Sequence, residues 1–367
     1  MHIEIQSVLM YNLCIGKRVL SRHKMNAYII VVMVFAVLYT FYMGFSDGAN
    51  AVATCVATRA IKARYALIIA GAVMLIAPIV ICYFLRSDSV ARTVGSLVYS
   101  ETLESVDPKA GFVFMLSTMI AALVWSVICV LVSVPNSTSH TLLGGLVGAA
   151  IVCFGFDCVN WTAVGLKVIL MVFLTPLICM TVGYLLDKLF RAVCVYLDRS
   201  VKKFFKAAQV FNVIVMSTSI SINNVQKTMG IYLLTLAVCK GVDIETYEFS
   251  FWIVALISVA IMAGIVFGGY RLIYAVGKKI YRVGTLQSFT AQVSTAAVAL
   301  TCSFTGIPIS TGQVVSSSII GVGIADRVSA VRWGRAKKIF SSWLLTFPVA
   351  ACLGAFVGFL LKLMIVR

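Results

Sequence analysis

The motif PNSTSH (135–140) is the key to the architecture, because a related motif, PISTGQ (308–313), occurs in the second half of the chain. A second pair of motifs precedes these two in the same order, since FSD (45–47) is matched by INN (222–224). The spacing between the two copies is nearly the same for both pairs, which indicates an internal duplication. Each half of the chain would contain one Asp/Asn motif followed by one Pro-x-Ser-Thr motif.

The composition puts this duplication in a lipid environment. Of the 367 residues, 61% are hydrophobic and 12% are charged, whereas soluble domains carry about 25% charged residues. The hydrophobic residues form blocks, several of them near the roughly 20 residues that a bilayer crossing requires. These blocks lie at about 27–46, 65–85, 111–134, 141–156, 162–186, 207–223, 230–239, 250–268, 289–305, 314–325 and 343–365. We therefore predict an all-α polytopic membrane protein.

Polar interruptions adjoin the blocks that are too short to cross a bilayer alone. They are GFSDGAN (44–50), PNSTSH (135–140), SINNVQKTMG (221–230) and PISTGQ (308–313). Short apolar segments interrupted by Gly, Pro and polar residues are typical of the broken helices that line transporter binding sites near the midplane of the bilayer. We predict broken helices or re-entrant hairpins at all four places, meeting at a central site.

Loop charges predict the orientation of the halves. Basic residues concentrate in four loops (59–64, 187–206, 270–282 and 326–338), and most of the remaining acidic residues lie in two others (86–110 and 240–249). The positive-inside rule assigns the first group to the cytoplasm and the second to the outside. Five crossings, an odd number, then separate equivalent motifs. The halves are therefore predicted to be inverted repeats.

The predicted boundaries follow from this topology. Repeat 1 covers 25–186, a basic cytoplasmic linker covers 187–206, and repeat 2 covers 207–367. The segment 1–24 is basic, which conflicts with its predicted position outside the membrane. Because Met25 immediately precedes the first span, a translation start there would remove the conflict.

Several classes of function are excluded by what the sequence contains. The net charge of +17 resides in short loops between apolar blocks, so it indicates membrane topology and no nucleic-acid partner. The eleven cysteines form no CxxC pair and lie mostly within apolar spans, as buried hydrophobic residues do. The sequence has no P-loop, HExxH, GxSxG or paired carboxylates. We predict that the protein is not an enzyme and uses no cofactor.

Asp47 is the strongest candidate for a functional residue. It alone among the thirteen acidic residues lies deep within a hydrophobic block. An ionised carboxylate in lipid costs several kcal/mol, so an intramembrane aspartate indicates function by default. We predict that Asp47 is a cation ligand, a proton carrier or an acceptor for a substrate hydroxyl; the alternative is a structural partner for Lys227.

The duplicated Pro-x-Ser-Thr motifs provide the candidate anion-binding residues, which are Ser137, Thr138, Ser139, Ser310 and Thr311. Proline ends the incoming helix, and Ser or Thr then caps a new helix. The start of a helix presents unpaired amides and a partial positive charge. Two inverted copies would direct two such helix starts at one point, which suits a small tetrahedral oxyanion; the alternative is ordinary hinge chemistry in a kinked helix.

Further polar residues surround these motifs. Oxygen atoms of Asn50, Asn223 and Asn224 are suitable ligands for Na⁺, and Lys227 is expected either to offset Asp47 or to attract an anion. Asparagines also stabilise helix packing, which is the alternative interpretation. His140 is predicted either to relay protons or to form a plain hydrogen bond.

These motifs resemble the inorganic phosphate transporter family (Pit-type or PHO4 permeases). GFSDGANAVAT (44–54) with the following TRA (58–60) resembles the first family signature, and residues 217–230 resemble the second. PNSTSH and PISTGQ are similar to its two Pro-x-Ser-Thr-Thr-His elements. The run from residue 269 to the second of these elements is also similar, so the resemblance covers nearly the whole chain from residue 25.

The resemblance implies an inverted-repeat fold, often dimeric, in the plasma membrane, with phosphate bound between the halves and H⁺ or Na⁺ co-transported. Asp47 and Asn50 would then belong to the first signature. Gln226 and Lys227 would belong to the second, together with Asn223 and Asn224, and we expect Gln226 and Lys227 to contribute to substrate binding. The Ser and Thr residues of the two Pro-x-Ser-Thr elements would contact the anion.

Three departures from the family pattern leave alternatives open. The family usually has a second aspartate where this chain has Asn224, Thr-His where it has Gly312-Gln313, and His-Gly where it has Ile220-Ser221. The lost carboxylate affects the coupling stoichiometry, and relatives with altered motifs carry sulfate. Asp47 favours phosphate, because a carboxylate accepts a hydrogen bond from HPO₄²⁻ and repels SO₄²⁻. We predict a phosphate symporter; the alternatives are a sulfate permease and a non-transporting membrane sensor or assembly partner.

Overall fold

The computed structural model describes residues 2–99, 101–102, 106–132, 134–194, 201–276 and 283–365. Side chains are described within 24–99, 101–102, 106–132, 134–194, 203–268 and 283–365. The helices in these ranges are α1 (His2–Ala57), α2 (Ala63–Phe84), α3 (Ser89–Gly95), α4 (Pro108–Leu131), α5 (Thr138–Phe154), α6 (Trp161–Cys194), α7 (Val201–Lys240), α8 (Phe251–Val276), α9 (Thr285–Phe304), α10 (Thr311–Asp326) and α11 (Trp333–Ile365). Within the same ranges the one β contact is an isolated bridge between Val98 and Val159.

Seven of the described helices contain apolar stretches long enough to cross a membrane: α1, α2, α4, α6, α7, α8 and α11. Large apolar side chains also cover the outer surface. Phe267, Leu131 and Trp252 are 78%, 77% and 76% exposed, and apolar exposure of this extent on several helices requires a lipid surround. The predicted all-α, multi-pass membrane protein is therefore confirmed.

Both Pro-x-Ser-Thr motifs separate two helices, as predicted. The first motif lies between α4, which ends at Leu131, and α5, which begins at Thr138. The second lies between α9, which ends at Phe304, and α10, which begins at Thr311. With 17 and 16 residues, α5 and α10 are each about 25 Å long, less than the roughly 30 Å of a hydrocarbon core.

The other two predicted breaks, at 44–50 and 221–230, are wrong. Helix α1 runs through the first of these segments and α7 through the second without interruption. The glycines of the first segment allow close packing instead. A Cβ added to Gly44 would collide with the backbone carbonyl of Ile261 on α8, and one added to Gly48 would collide with the side chain of Ile265. Asp47 in the first segment and Asn223, Gln226 and Lys227 in the second find partners on neighbouring elements, so the backbone does not need to unwind.

The core consists mainly of two large apolar clusters, and the polar motifs lie where these clusters meet. Helix α1 contributes Met43 to the first cluster and Ala51 to the second, and Asp47 lies between them. Helix α7 crosses the same boundary in the opposite direction along the chain, with Ile222 in the second cluster and Ile231 in the first. Buried polar residues are therefore concentrated at one level of the two long helices.

Candidate functional site

Asp47 lies at the centre of this polar level. Its side chain is 3% exposed. Its Oδ2 accepts hydrogen bonds from Thr138 Oγ1 at 3.0 Å and from Asn224 Nδ2 at 2.9 Å. The side chain of Thr311 lies near the same carboxyl group. The carboxyl group thus joins α1 to α7 and to the first residue of α5, and it lies near the first residue of α10.

Lys227 is the second buried charge of the site, one turn beyond Asn224 on α7. Its Nζ donates to Ser139 Oγ at 2.6 Å, to Asn224 Oδ1 at 2.9 Å and to the backbone carbonyl of Ile309 at 2.8 Å. Ser139 Oγ donates to the same carbonyl at 2.5 Å. An ammonium group has three N–H donors, so a substrate oxygen must replace one of these acceptors in order to contact Lys227.

The N-termini of the two short helices converge at this cluster. Ser137 is the N-cap of α5, and its Oγ accepts from the backbone amide of His140 at 3.4 Å. Ser310 is the N-cap of α10, and its Oγ is buried without a hydrogen-bond partner among the described residues. The first amides of each helix have no partner within the helix. The site therefore holds neutral and dipolar donors, one ammonium group and one carboxyl group, a combination suited to an oxyanion and a cation.

Asn223 lies beside this cluster. Its Nδ2 donates to Ser303 Oγ and to the carbonyl of Ile307, both at 3.1 Å. Its Oδ1 is buried and has no partner among the residues that the structure describes. This oxygen is suited to accept a hydrogen bond or to coordinate a cation.

The remaining predicted residues lie away from Asp47 and Lys227, or contact neither of them. Gln226 accepts from the amide of Val90 at 3.0 Å and donates to the carbonyl of Ser87 at 2.7 Å, so its amide group stabilises the start of α3. His140 lies near the backbone of Trp343 on α11, and its Nδ1 is buried without a hydrogen-bond partner among the described residues. Asn50 is half-buried and hydrogen-bonds with no side chain in the described part of the chain.

Four residues that contribute to the site are not predicted from the sequence. Tyr39 donates from its hydroxyl to the carbonyl of Thr138 at 2.6 Å and so positions the start of α5. The hydroxyls of Thr40 and Thr228 lie 2.7 Å apart and join α1 to α7. The carbonyl of Ile309 is a backbone acceptor, which no side-chain pattern identifies. Thr40 lies two helical turns before Asp47, and this spacing places it on the same face of α1, which is the signal that could identify Thr40 from the sequence.

Comparison with known proteins gives a consistent result. Residues 43–354 match the profile described as the Phosphate transporter family. A protein of Bacillus subtilis (strain 168), named "Probable low-affinity inorganic phosphate transporter", is 31% identical over 340 residues, which cover 91% of this chain and 97% of the relative. A protein of the same name from Rhizobium meliloti (strain 1021) is 32% identical over 329 residues, covering 88% and 93% of the two chains.

The fold also matches a solved structure, described as "The sodium-dependent phosphate transporter". The TM-score is 0.81 with 26% sequence identity, and the match covers 92% of this chain and 100% of the other. The similarity therefore extends over most of the chain.

Proposed function

The chain belongs to the phosphate transporter family, and we propose that it is a symporter that imports inorganic phosphate together with Na⁺ or H⁺ across the plasma membrane. Members of this family are transporters, not enzymes, and inorganic phosphate is the substrate of the family. The observation that carries the proposal is the buried cluster of Asp47, Asn224 and Lys227 between the N-termini of α5 and α10.

Phosphate would bind between the two short helices. The donors available to it are the hydroxyls and first amides at the two helix starts, where the helix dipoles favour an anion. Ser310 Oγ is the donor that needs no rearrangement, because it has no other partner among the described residues. Lys227 and Ser139 would exchange the carbonyl of Ile309 for a phosphate oxygen. Because neutral donors bind an anion less tightly than full positive charges do, the phosphate can also dissociate from this site.

The coupling cation would bind at Asp47. Two threonine hydroxyls, from Thr138 and Thr311, flank the carboxyl group, and hydroxyl and carboxylate oxygens are suitable Na⁺ ligands. The Asn223 Oδ1 atom, with no partner in the described part of the chain, adds a further oxygen. The structural neighbour is described as sodium-dependent, which favours Na⁺. Protonation of Asp47 is the other way to neutralise its charge before an anion enters.

We also propose that 25–186 and 207–367 are inverted repeats that rock against each other around this site. Equivalent packing contacts support the proposal. Gly148 of α5 packs against the backbone of Ala351 on α11, and Gly321 of α10 packs against the backbone of Met180 on α6. In the register that aligns 135–140 with 308–313, the two glycines are equivalent, and Ala351 lies within one helical turn of the equivalent of Met180.

A second pair of contacts is related by the same alignment of the two halves. Lys362 on α11 donates to the carbonyl of Cys153 near the end of α5 at 3.2 Å. The corresponding Arg191 on α6 pairs with Asp326 at the end of α10 at 2.8 Å. A basic side chain from the long helix thus stabilises the C-terminus of the short helix in both halves, which is electrostatically favourable.

Uptake of labelled phosphate into liposomes tests the function. The purified protein would be reconstituted, and uptake measured under imposed Na⁺ or pH gradients with unlabelled sulfate as competitor. We expect gradient-driven phosphate uptake that sulfate does not inhibit, and the effective gradient identifies the coupling ion. Strong competition by sulfate would favour a sulfate permease. Failure to bind either anion would favour a non-transporting membrane protein.

A further inference from the structure

Unpaired polar groups are concentrated on one side of the central site. The buried side-chain atoms without a partner among the described residues include Thr54 Oγ1, Asn212 Nδ2, Ser217 Oγ and Ser288 Oγ, and both amide atoms of Gln292. All five residues lie on α1, α7 and α9. Buried polar groups normally have a hydrogen-bond partner, so these atoms indicate a region that water or a solute occupies.

The three helices are joined at both ends of this region. At the central site, Asn224 binds Asp47 and Asn223 binds Ser303, which connects α7 to α1 and to α9. Thr54 on α1 and Ser217 on α7 each lie about two helical turns from the Asp47–Asn224 hydrogen bond. Both lie on the side of that bond where α7 begins and α1 ends.

A chain of hydrogen bonds closes the other end. Thr58 Oγ1 donates to Gln209 Oε1 at 2.7 Å, and Gln209 Nε2 donates to the carbonyl of Thr285 at 2.9 Å. Gln209 therefore connects α7 to the end of α1 and to the start of α9. The sequence segments 59–64 and 187–206 are basic, which assigns this end to the cytoplasm.

Four of the positions equivalent to these polar residues in the opposite half are apolar. The register that aligns the two Pro-x-Ser-Thr motifs relates Gln292 and Ser288 to Met119 and Met115. The register that aligns the two Asp/Asn motifs relates Thr54 and Gln209 to Ile231 and Val32. These four apolar side chains are buried within one core cluster. At these four positions the outer side of the site is filled by apolar side chains, whereas the inner side carries polar groups. Ser217 differs, because its equivalent is Thr40, whose hydroxyl is paired with that of Thr228.

We propose that the polar side chains between α1, α7 and α9 form the cytoplasmic passage by which the oxyanion leaves the central site, and that the Gln209 hydrogen bonds close its mouth. This inference rests on the proposed function. The passage residues can all donate hydrogen bonds, and none carries a negative charge. They suit a hydrated phosphate ion that must not be held tightly, and the basic loops at the mouth attract it.

The natural Cys55, buried on α1 next to Thr54, reports on the passage. Its modification by the membrane-impermeant thiol reagent MTSET would be measured by peptide mass spectrometry in inside-out and right-side-out vesicles. Thiol reagents of this type need water and a thiolate. We expect Cys55 to react from the cytoplasmic side only, and faster than Cys179, because both thiols are buried in apolar clusters but only Cys55 adjoins the passage residue Thr54. If Cys55 is modified no faster than Cys179, or is modified from the outside, the proposed passage is contradicted.

Two variants test whether Gln209 closes the cytoplasmic end of the passage. Gln209→Ala removes both of its hydrogen bonds, so the rate of Cys55 modification should rise about tenfold, as the loss of one to two hydrogen bonds allows. The control is Thr235→Val. Thr235 is equivalent to Thr58 but donates within its own helix, to the carbonyl of Ile231, and its loss should leave the rate unchanged. An unchanged rate in Gln209→Ala would refute the closing role.

The variant Gln292→Leu tests whether Gln292 lines the passage or stabilises the fold. The substitution keeps the volume and removes two unpaired polar atoms, so the melting temperature should stay the same or rise. Phosphate uptake should fall about tenfold while phosphate binding, measured by calorimetry, is retained. A lower melting temperature would indicate a structural hydrogen bond and contradict the proposal. If the wild-type protein binds no phosphate, the proposed function fails, whereas Cys55 modification still decides whether the passage exists.

Discussion

Asn224 donates a hydrogen bond to the carboxylate of Asp47 at 2.9 Å across the boundary between the two halves of the chain. The other end of the same amide accepts from Lys227 Nζ at 2.9 Å. The neutral Asn224 side chain thus connects an acidic and a basic group, donating to one and accepting from the other. A carboxylate at this position would pair with Lys227 but would repel Asp47.

Asn224→Asp is expected to increase the cation dependence of transport. Two carboxylates within hydrogen-bond distance cannot both stay ionised unless a cation or a proton lies between them. Phosphate uptake should therefore depend more steeply on Na⁺ concentration or on pH than in the wild-type protein. Asn160→Asp is the control, because Asn160 caps a helix away from the site through its side-chain oxygen. An identical cation dependence in both variants would contradict the role assigned to Asn224.

Asp47→Asn is expected to abolish gradient-driven phosphate uptake while the protein stays folded. An amide of nearly the same size retains an oxygen that can accept from Thr138, but it carries no charge for a cation and no titratable proton. Uptake should fall by at least about tenfold, since an intramembrane carboxylate is retained for function. Asp107→Asn, in an exposed loop, should transport normally. Unchanged uptake by Asp47→Asn would remove this residue from the coupling mechanism.

Ser310→Ala and Ser139→Ala should differ in their effect on stability. Ser310 Oγ has no partner among the described residues, so its loss should weaken phosphate affinity without lowering the melting temperature. Ser139 Oγ bonds to Lys227 and to the carbonyl of Ile309, so its loss leaves buried polar groups unsatisfied, at a cost of about 1–3 kcal/mol. Calorimetric phosphate titration and thermal unfolding in detergent would measure the two effects. Equal destabilisation would show that Ser310 is a structural residue.

Gly148→Ala should destabilise the packing of α5 on α11. The added Cβ would collide with the carbonyl of Ala351, a backbone atom that cannot rotate away. We expect a loss of about 1–3 kcal/mol, as for overpacked cores. Gly312→Ala is the matched control, because a Cβ there meets no atom within 4 Å and alanine favours helix. Thermal unfolding of both variants would compare them, and equal stability would argue against close approach at Gly148.

The lipid environment, the helical class and two of the helix breaks follow from the amino-acid sequence alone. Few charges and long apolar blocks require a lipid solvent, and only helices satisfy the backbone of such segments internally. Proline followed by Ser and Thr ends one helix and caps the next, so the breaks at 135–140 and 308–313 follow from local chemistry. Asp47 was identified for the same kind of reason, since a lone charge in an apolar span is costly.

Which polar residues meet depends on the packing of the helices. The segments 44–50 and 221–230 have the composition of breaks, yet they stay helical, and neighbouring elements satisfy the side chains of Asp47, Asn223 and Lys227. Gln226 lies two residues after Asn224 and one before Lys227, and residues so spaced on a helix do not share a face, so the side chain of Gln226 points towards α3. The backbone carbonyl of Ile309 accepts a hydrogen bond from Lys227 Nζ only because the tertiary fold brings these two residues together. Hydrogen bonds across long sequence separations depend on tertiary packing, which no local pattern contains.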